Sequence, residues 1–165
     1  MKNIGVKYGL ICGLVVVIAQ LVGILLGTQT MGAGIGILSW FIVFAITFVF
    51  IYRGCMEFRE INGNITVGEG LKIGVTCGLI AGVLAGAFSI LYGEVIDPEF
   101  SERMLETLRE QWEDQGMGDE QIAQSEKMVT MFSNPVWAIP ASVLWYVLGG
   151  LIKGPIAGAI LRRAE

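Results

Sequence analysis

At 165 residues, with 54% hydrophobic and only 16% charged side chains and a mean hydropathy of +0.67, the chain has room for one compact unit and is too apolar for an ordinary water-soluble domain. The net charge is −4, and the absence of histidine excludes histidine-ligated zinc and haem, histidine acid/base catalysis and a Ser-His-Asp triad. The three cysteines, Cys12, Cys55 and Cys77, show no C-x-x-C spacing, so they read as small apolar packing residues rather than a disulfide framework or thiolate metal site.

Charged residues avoid most of the chain, leaving uncharged windows at 8–52, 73–93 and 128–152. The first holds two spans of about 20 residues and the others one each, so an all-α protein with four transmembrane helices is expected. The first helix covers about 8–27, behind Lys2 and Lys7. Its apolar stretch is too long for a signal peptide and no A-x-A cleavage pattern follows it. Gly5, Gly9 and Gly13 stand four apart, and Gln20 is the one strongly polar side chain deep in this helix, expected to bond across to a neighbouring helix. Residues 27–36, with four glycines and no charge, read as a turn.

The second helix, about 35–52, carries Trp40, Phe41, Phe44, Phe48 and Phe50 around its circumference and is expected to be the most lipid-exposed. Residues 53–69 carry both charge signs around Asn62-Gly63-Asn64 and read as a solvated loop. Glu69 and Lys72, three apart at the mouth of the third helix, are placed for a local ion pair. An ion-coupling role for Glu69 is the competing reading, disfavoured by its place at the membrane edge.

The third helix, about 71–92, organises the rest. Gly70, Gly74, Gly78, Gly82 and Gly86 recur every fourth residue, and each step drifts by only about 40° around a helix, so together they form one bare, slowly winding groove in which a second helix can lie. Ala81, Ala85, Ser89 and Gly93 form a second small-residue row beside it, so two helices can pack on this one.

Residues 97–133 are the one long polar segment. Asp97-Pro98 is a cap followed by a first-turn proline, and Gly116 is a natural stop. Between them Phe100, Met104, Leu105, Leu108 and Trp112 make one apolar stripe on an acidic helix. A second helix beginning at Asp119, with Ile122, Val129 and Phe132 on one side, completes an expected helical hairpin. The fourth transmembrane helix, about 136–160, opens at Asn134-Pro135, contains Pro140 and Pro155, and carries a third row at Gly150, Gly154 and Gly158. Lys153 lies near its end, where the stem is expected to snorkel to the headgroups.

Four spans put both termini on one side. That side would hold eight of the eleven basic residues with four of the fifteen acidic ones, net +4, and the other side three basic with eleven acidic, net −8. The positive-inside rule then makes the termini cytoplasmic and the acidic hairpin extracytoplasmic. Glycine rows concentrate tight packing near the inner leaflet, so the helices should splay slightly toward the outer one, with the hairpin as a cap.

Tyr52-Arg53, then Gly63, Ile65, Thr66, Gly68-Glu69 and Lys72, then Asp97-Pro98-Glu99-Phe100 opening an acidic helical segment, resemble the uncharacterised bacterial membrane family called domain of unknown function 4199. The resemblance covers nearly the whole chain and implies four spans in a bacterial inner membrane and no particular activity.

The function expected is therefore a non-enzymatic structural or interaction component of the inner membrane, whose partners are the lipid bilayer and another membrane protein or a second copy, with no cofactor and no nucleic acid. The alternative is a small oligomeric channel or carrier for ions or small solutes. A charged mid-membrane residue is missing from the sequence pattern, which weighs against it. A pathway would leave Gln20, Thr47, Thr76 and Ser89 facing one cavity, whereas packing would bury them between helices. The hairpin carboxylates lack EF-hand spacing and read as a solvated face, and the methionines at helical spacing as packing rather than copper ligands.

Overall fold

The structure, a computed structural model, describes residues 2–28 and 33–163; residues 29–32 of the expected first turn, and Glu165 among the residues counted on the inner side, lie outside them. Among the described residues there is helix and no strand: α1 (Lys2–Leu25), α2 (Ala33–Asn62), α3 (Val67–Leu91) continued by a π-helical turn (Tyr92–Ile96), α4 (Phe100–Asp114), α5 (Asp119–Ser133) and α6 (Pro135–Arg163). Four of them, α1, α2, α3 with its π turn, and α6, are long and apolar enough to cross a bilayer.

The boundaries have local causes. The segment expected as a loop from residue 53 is helical to Asn62, because the charged residues of that stretch are good helix formers and nothing breaks the helix before Gly63. There the backbone turns left-handed, φ +83°, and the Gly63 N–H closes on the Arg59 carbonyl at 2.7 Å. The loop shrinks to a few residues before Thr66, which caps α3. Helix α4 starts at Phe100 rather than at Pro98; the Asp97 carboxylate takes a hydrogen bond from the Arg103 guanidinium instead of capping. It ends where Gly116 adopts φ +75° and the Met117 N–H reaches back to the Trp112 carbonyl at 3.0 Å. Helix α6 opens with the Asn134 side chain accepting from the Val136 N–H at 3.0 Å and runs unbroken through Pro140 and Pro155.

Helix α3 is the centre of the bundle, with 44% of its apolar window buried against 11% for α2. Helix α6 crosses its glycine face in antiparallel register. A methyl group added to Gly70 would stand 2.5 Å from the Gly154 carbonyl oxygen, and one on Gly154 would meet the Gly70 carbonyl carbon at 3.0 Å. Gly74 and Gly150 face each other in the same reciprocal way, and Gly158 lies over Thr66 and Val67. Farther along, Gly78, Gly82 and Gly86 lie under Tyr146, Val143 and Ile139, so there only α3 is bare. Helix α1 lies on the neighbouring face of α3 in parallel register, with Gly5 against Thr76, Gly9 against Cys77 and Ile80, and Gly13 against Ala81 and Leu84. With no side chain between them, the backbones come close enough for dispersion to hold the helices together where no hydrophobic force acts between them.

Burial is uneven along the bundle. The end bearing the two described chain ends holds a core of Ile4, Ile51, Cys55, Phe58, Ile73, Cys77, Ala157 and Leu161. A smaller group, Cys12, Val16, Ala81 and Ala85, follows. Beyond it, no apolar side chain of the described long helices is fully buried. The bundle is tight at one end and loose at the other.

Candidate functional site

Two places in this bundle carry chemistry beyond packing. The first is Lys153, which is buried, 6% exposed, between α6 and α2. Its ammonium donates a hydrogen bond to the Thr47 hydroxyl, itself 3% exposed, and lies 4.2 Å from the centre of the Phe44 ring. The Thr47 hydroxyl in turn donates to the Val43 and Phe44 carbonyls, at 2.9 Å each, so its oxygen lone pairs remain for the lysine. Gly149, one turn back on α6, leaves the stem its channel: a methyl group there would stand 3.4 Å from the ammonium nitrogen. No carboxylate lies within ion-pair distance of Lys153 among the described residues.

The snorkelling expected of Lys153 is therefore overturned, and with it the apparent lack of a charge inside the apolar layer. The cause is helix direction. Side chains lean toward a helix's N-terminus, and on α6 that leads away from the nearer end of the bundle, toward Thr47. Helix direction and the glycine at position 149 were the signals in the sequence that pointed this way.

The second place is at the loose end. A cavity of about 700 Å³ opens there, walled by Gln20 and Ile24 of α1, Phe88 and Ser89 of α3, Tyr92 and Glu94 of the π turn, Phe100, Met104 and Trp112 of α4, Met128 and Val129 of α5, and Ala138 of α6. The rings of Phe88, Tyr92 and Phe100 follow one another along its wall, with centroids 6.0 and 5.3 Å apart. A smaller adjoining cavity of about 330 Å³ shares Ile24, Tyr92, Phe100 and Met104 and reaches the Asp97–Arg103 pair. Among the described residues Gln20 does not bond across to another helix as expected; its side-chain carbonyl oxygen is buried without a hydrogen-bond partner there.

Of the four polar residues that would discriminate a pathway from packing, Gln20 and Ser89 line this one cavity. Thr47 is buried under Lys153, and Thr76 turns its hydroxyl back to the Lys72 carbonyl at 2.8 Å while its methyl group faces Gly5. The structure thus brings two of the four together and separates the others.

Glu69 and Lys72 form no ion pair among the described residues. The Glu69 carboxylate instead accepts from the Thr66 N–H at 2.7 Å and its hydroxyl at 2.8 Å, while the Glu69 N–H donates to the Thr66 hydroxyl oxygen at 3.2 Å, a complete capping box that the Thr-x-x-Glu spacing carries in the sequence. Lys72 is exposed. A charged contact not anticipated ties α1 to α2: Lys7 and the Tyr8 hydroxyl both donate to Glu57, at 2.7 and 2.8 Å. On the polar segment, Arg109 of α4 pairs with Glu126 of α5 at 2.5 Å, and that hydrogen bond raises the already high pKa of the guanidinium. The three cysteines are buried and unbridged, and no group of three or more acidic or cysteine side chains among the described residues is arranged to hold a metal ion.

A family described as "Protein of unknown function (DUF4199)" has a model that matches residues 7–163. No curated protein and no solved structure matches the chain.

Proposed function

The chain belongs to this family of unknown function, and on that premise we propose that it is a non-enzymatic, multi-pass component of the bacterial inner membrane that associates with another membrane protein or with further copies of itself. Its termini are cytoplasmic, and α4 and α5 form an extracytoplasmic helical hairpin over the loose end of the bundle. The observation that carries this reading is where the small-residue rows point. All three glycine rows face neighbouring helices of the same chain, which leaves α2 as the surface for association. That helix is the least covered of the four and turns Trp40, Phe41 and Val49 outward. Nothing in the lysine site or the cavity resembles an assembled nucleophile, base and oxyanion constellation.

A second reading, a small oligomeric channel or carrier for ions or small solutes, is favoured by Lys153. An ionisable side chain inside the apolar layer is costly and marks solute pathways in membrane proteins more often than it serves packing. The test is the mass of the purified protein extracted in native lipid discs together with crosslinking from a cysteine placed at Phe41 in a chain whose native cysteines are serine. Crosslinks from Phe41 to a different membrane protein, or to one further copy, support the associating component. A closed ring of copies with Lys153 required for ion flux supports the carrier. A lone chain with no Phe41 crosslink overturns the first reading.

A further inference from the structure

The cavity at the loose end, about 700 Å³, falls within the ~300–1,000 Å³ usual for small-molecule sites. Four aromatic side chains, Phe88, Tyr92, Phe100 and Trp112, line it, and each is only half-buried. The Tyr92 and Phe100 rings stand at 82° to one another with centroids 5.3 Å apart. A group lying in the angle of such a pair meets two ring faces at once, and ring faces attract cations.

Glu94 is the one charged side chain on this wall among the described residues. It is exposed, so an occupant can reach it, and it forms no ion pair among the described residues. The other carboxylate nearby, Asp97 in the adjoining cavity, is already held by Arg103. Whatever fills the cavity takes water away from the Glu94 carboxylate, which costs free energy unless the occupant brings a counter-charge. A neutral lipophile brings none. An anion meets like charge at Glu94 and in the field of residues 94–133, which hold eleven acidic and three basic side chains. A divalent metal ion needs several oxygen ligands, and no group of three acidic side chains is arranged to give them among the described residues. A monovalent organic cation answers both the carboxylate and the rings. We propose that this cavity binds a lipophilic cation of the quaternary ammonium or phosphonium class, its charge neutralised by Glu94 and its apolar substituents lying against Phe88, Tyr92, Phe100 and Trp112. The site is the same whichever end of the bundle faces the cytoplasm.

Three probes of similar shape and different charge make the test. The full-length protein in nanodiscs of zwitterionic lipid is titrated with methyltriphenylphosphonium, with its neutral counterpart triphenylphosphine oxide and with the anion tetraphenylborate, and binding is measured by equilibrium dialysis against empty discs. One saturable phosphonium site per chain is expected, at least about tenfold tighter than the oxide, with no saturable site for the borate. Glu94→Gln should weaken the phosphonium by roughly fivefold and leave the oxide unchanged. That variant loses no ion pair, so it should unfold at the parent's temperature. Glu120→Gln makes the same change of charge on α5 but outside the wall, and should leave phosphonium binding within about twofold of the parent's. Val129→Trp, which fills the cavity from α5, should abolish the saturable phase. Oxide binding as tight as phosphonium binding overturns the proposal, as does an equal loss in the two glutamine variants, a phosphonium site unchanged by Glu94→Gln or by Val129→Trp, or uptake no greater than that of empty discs.

Discussion

Lys153 shows how much a single side chain's direction decides. A lysine toward the end of a long apolar helix, nine residues before Arg162, is ordinarily read as an interfacial anchor whose stem reaches toward the headgroups. On α6 the stem leans the other way and the ammonium ends on the Thr47 hydroxyl, with a ring face beside it and no carboxylate within ion-pair distance among the described residues. Such a group costs stability, up to ~3 kcal/mol on insertion scales, and replacing a buried charge with an apolar side chain of similar volume is often neutral or stabilising. Lys153→Met should therefore unfold in detergent at a temperature equal to or above the parent's. Thr47→Val, which leaves the ammonium buried without its acceptor, should lose about 1–3 kcal/mol. The opposite order would show the lysine to be a net stabiliser. The expected order would mark it as a residue kept for what it does rather than for what it holds together.

At the scale of elements, the glycine period on α3 was legible because a four-residue repeat leaves a mark in one segment, but its partner was not. Three rows were visible, and α1 and α6 were equally suited to the α3 groove. Antiparallel α6 fits it with glycine opposite glycine at Gly70 and Gly74, while parallel α1 takes the alanine side. Choosing between them needs the register, which no local pattern holds. The end of α2 is hidden in the sequence for a different reason: mixed charge is the usual mark of a loop, yet Arg, Met and Glu are strong helix formers and the left-handed break comes only at Gly63. The seam leaves no room at Gly78, where an added methyl group would stand 2.8 Å from the Tyr146 carbonyl carbon, with backbone rather than a yielding side chain in the way. Gly36 has nothing within 4 Å. Gly78→Leu should cost ~3 kcal/mol or prevent assembly, as overpacking against fixed backbone does, and Gly36→Leu should be tolerated, measured by detergent unfolding and yield of folded protein. Equal tolerance would mean that α3 and α6 are not held by this face.

For the whole molecule, the tight end, the loose end and the charge asymmetry belong to one arrangement. The end with the chain ends is packed backbone to backbone, is joined by the Lys7–Glu57–Tyr8 contact, and carries the excess of basic residues; the loose end lies under a strongly acidic pair of helices. The proposed orientation, argued from the basic excess, would put Gly63 in the cytoplasm and Gln115, in the exposed connection between α4 and α5, outside it. Alkaline phosphatase folds only outside the cytoplasm, so a fusion after Gln115 should be active and one after Gly63 inactive. This orientation also fixes the meaning of the two sites. With Gln115 outside, the cavity would lie at the outer end of the bundle, and Lys153 would point from the inner end toward the middle of the membrane. Active enzyme at Gly63 and none at Gln115 would invert both, placing the acidic helices and the cavity at the cytoplasmic end. It would also require this chain to insert against its own lysine and arginine bias.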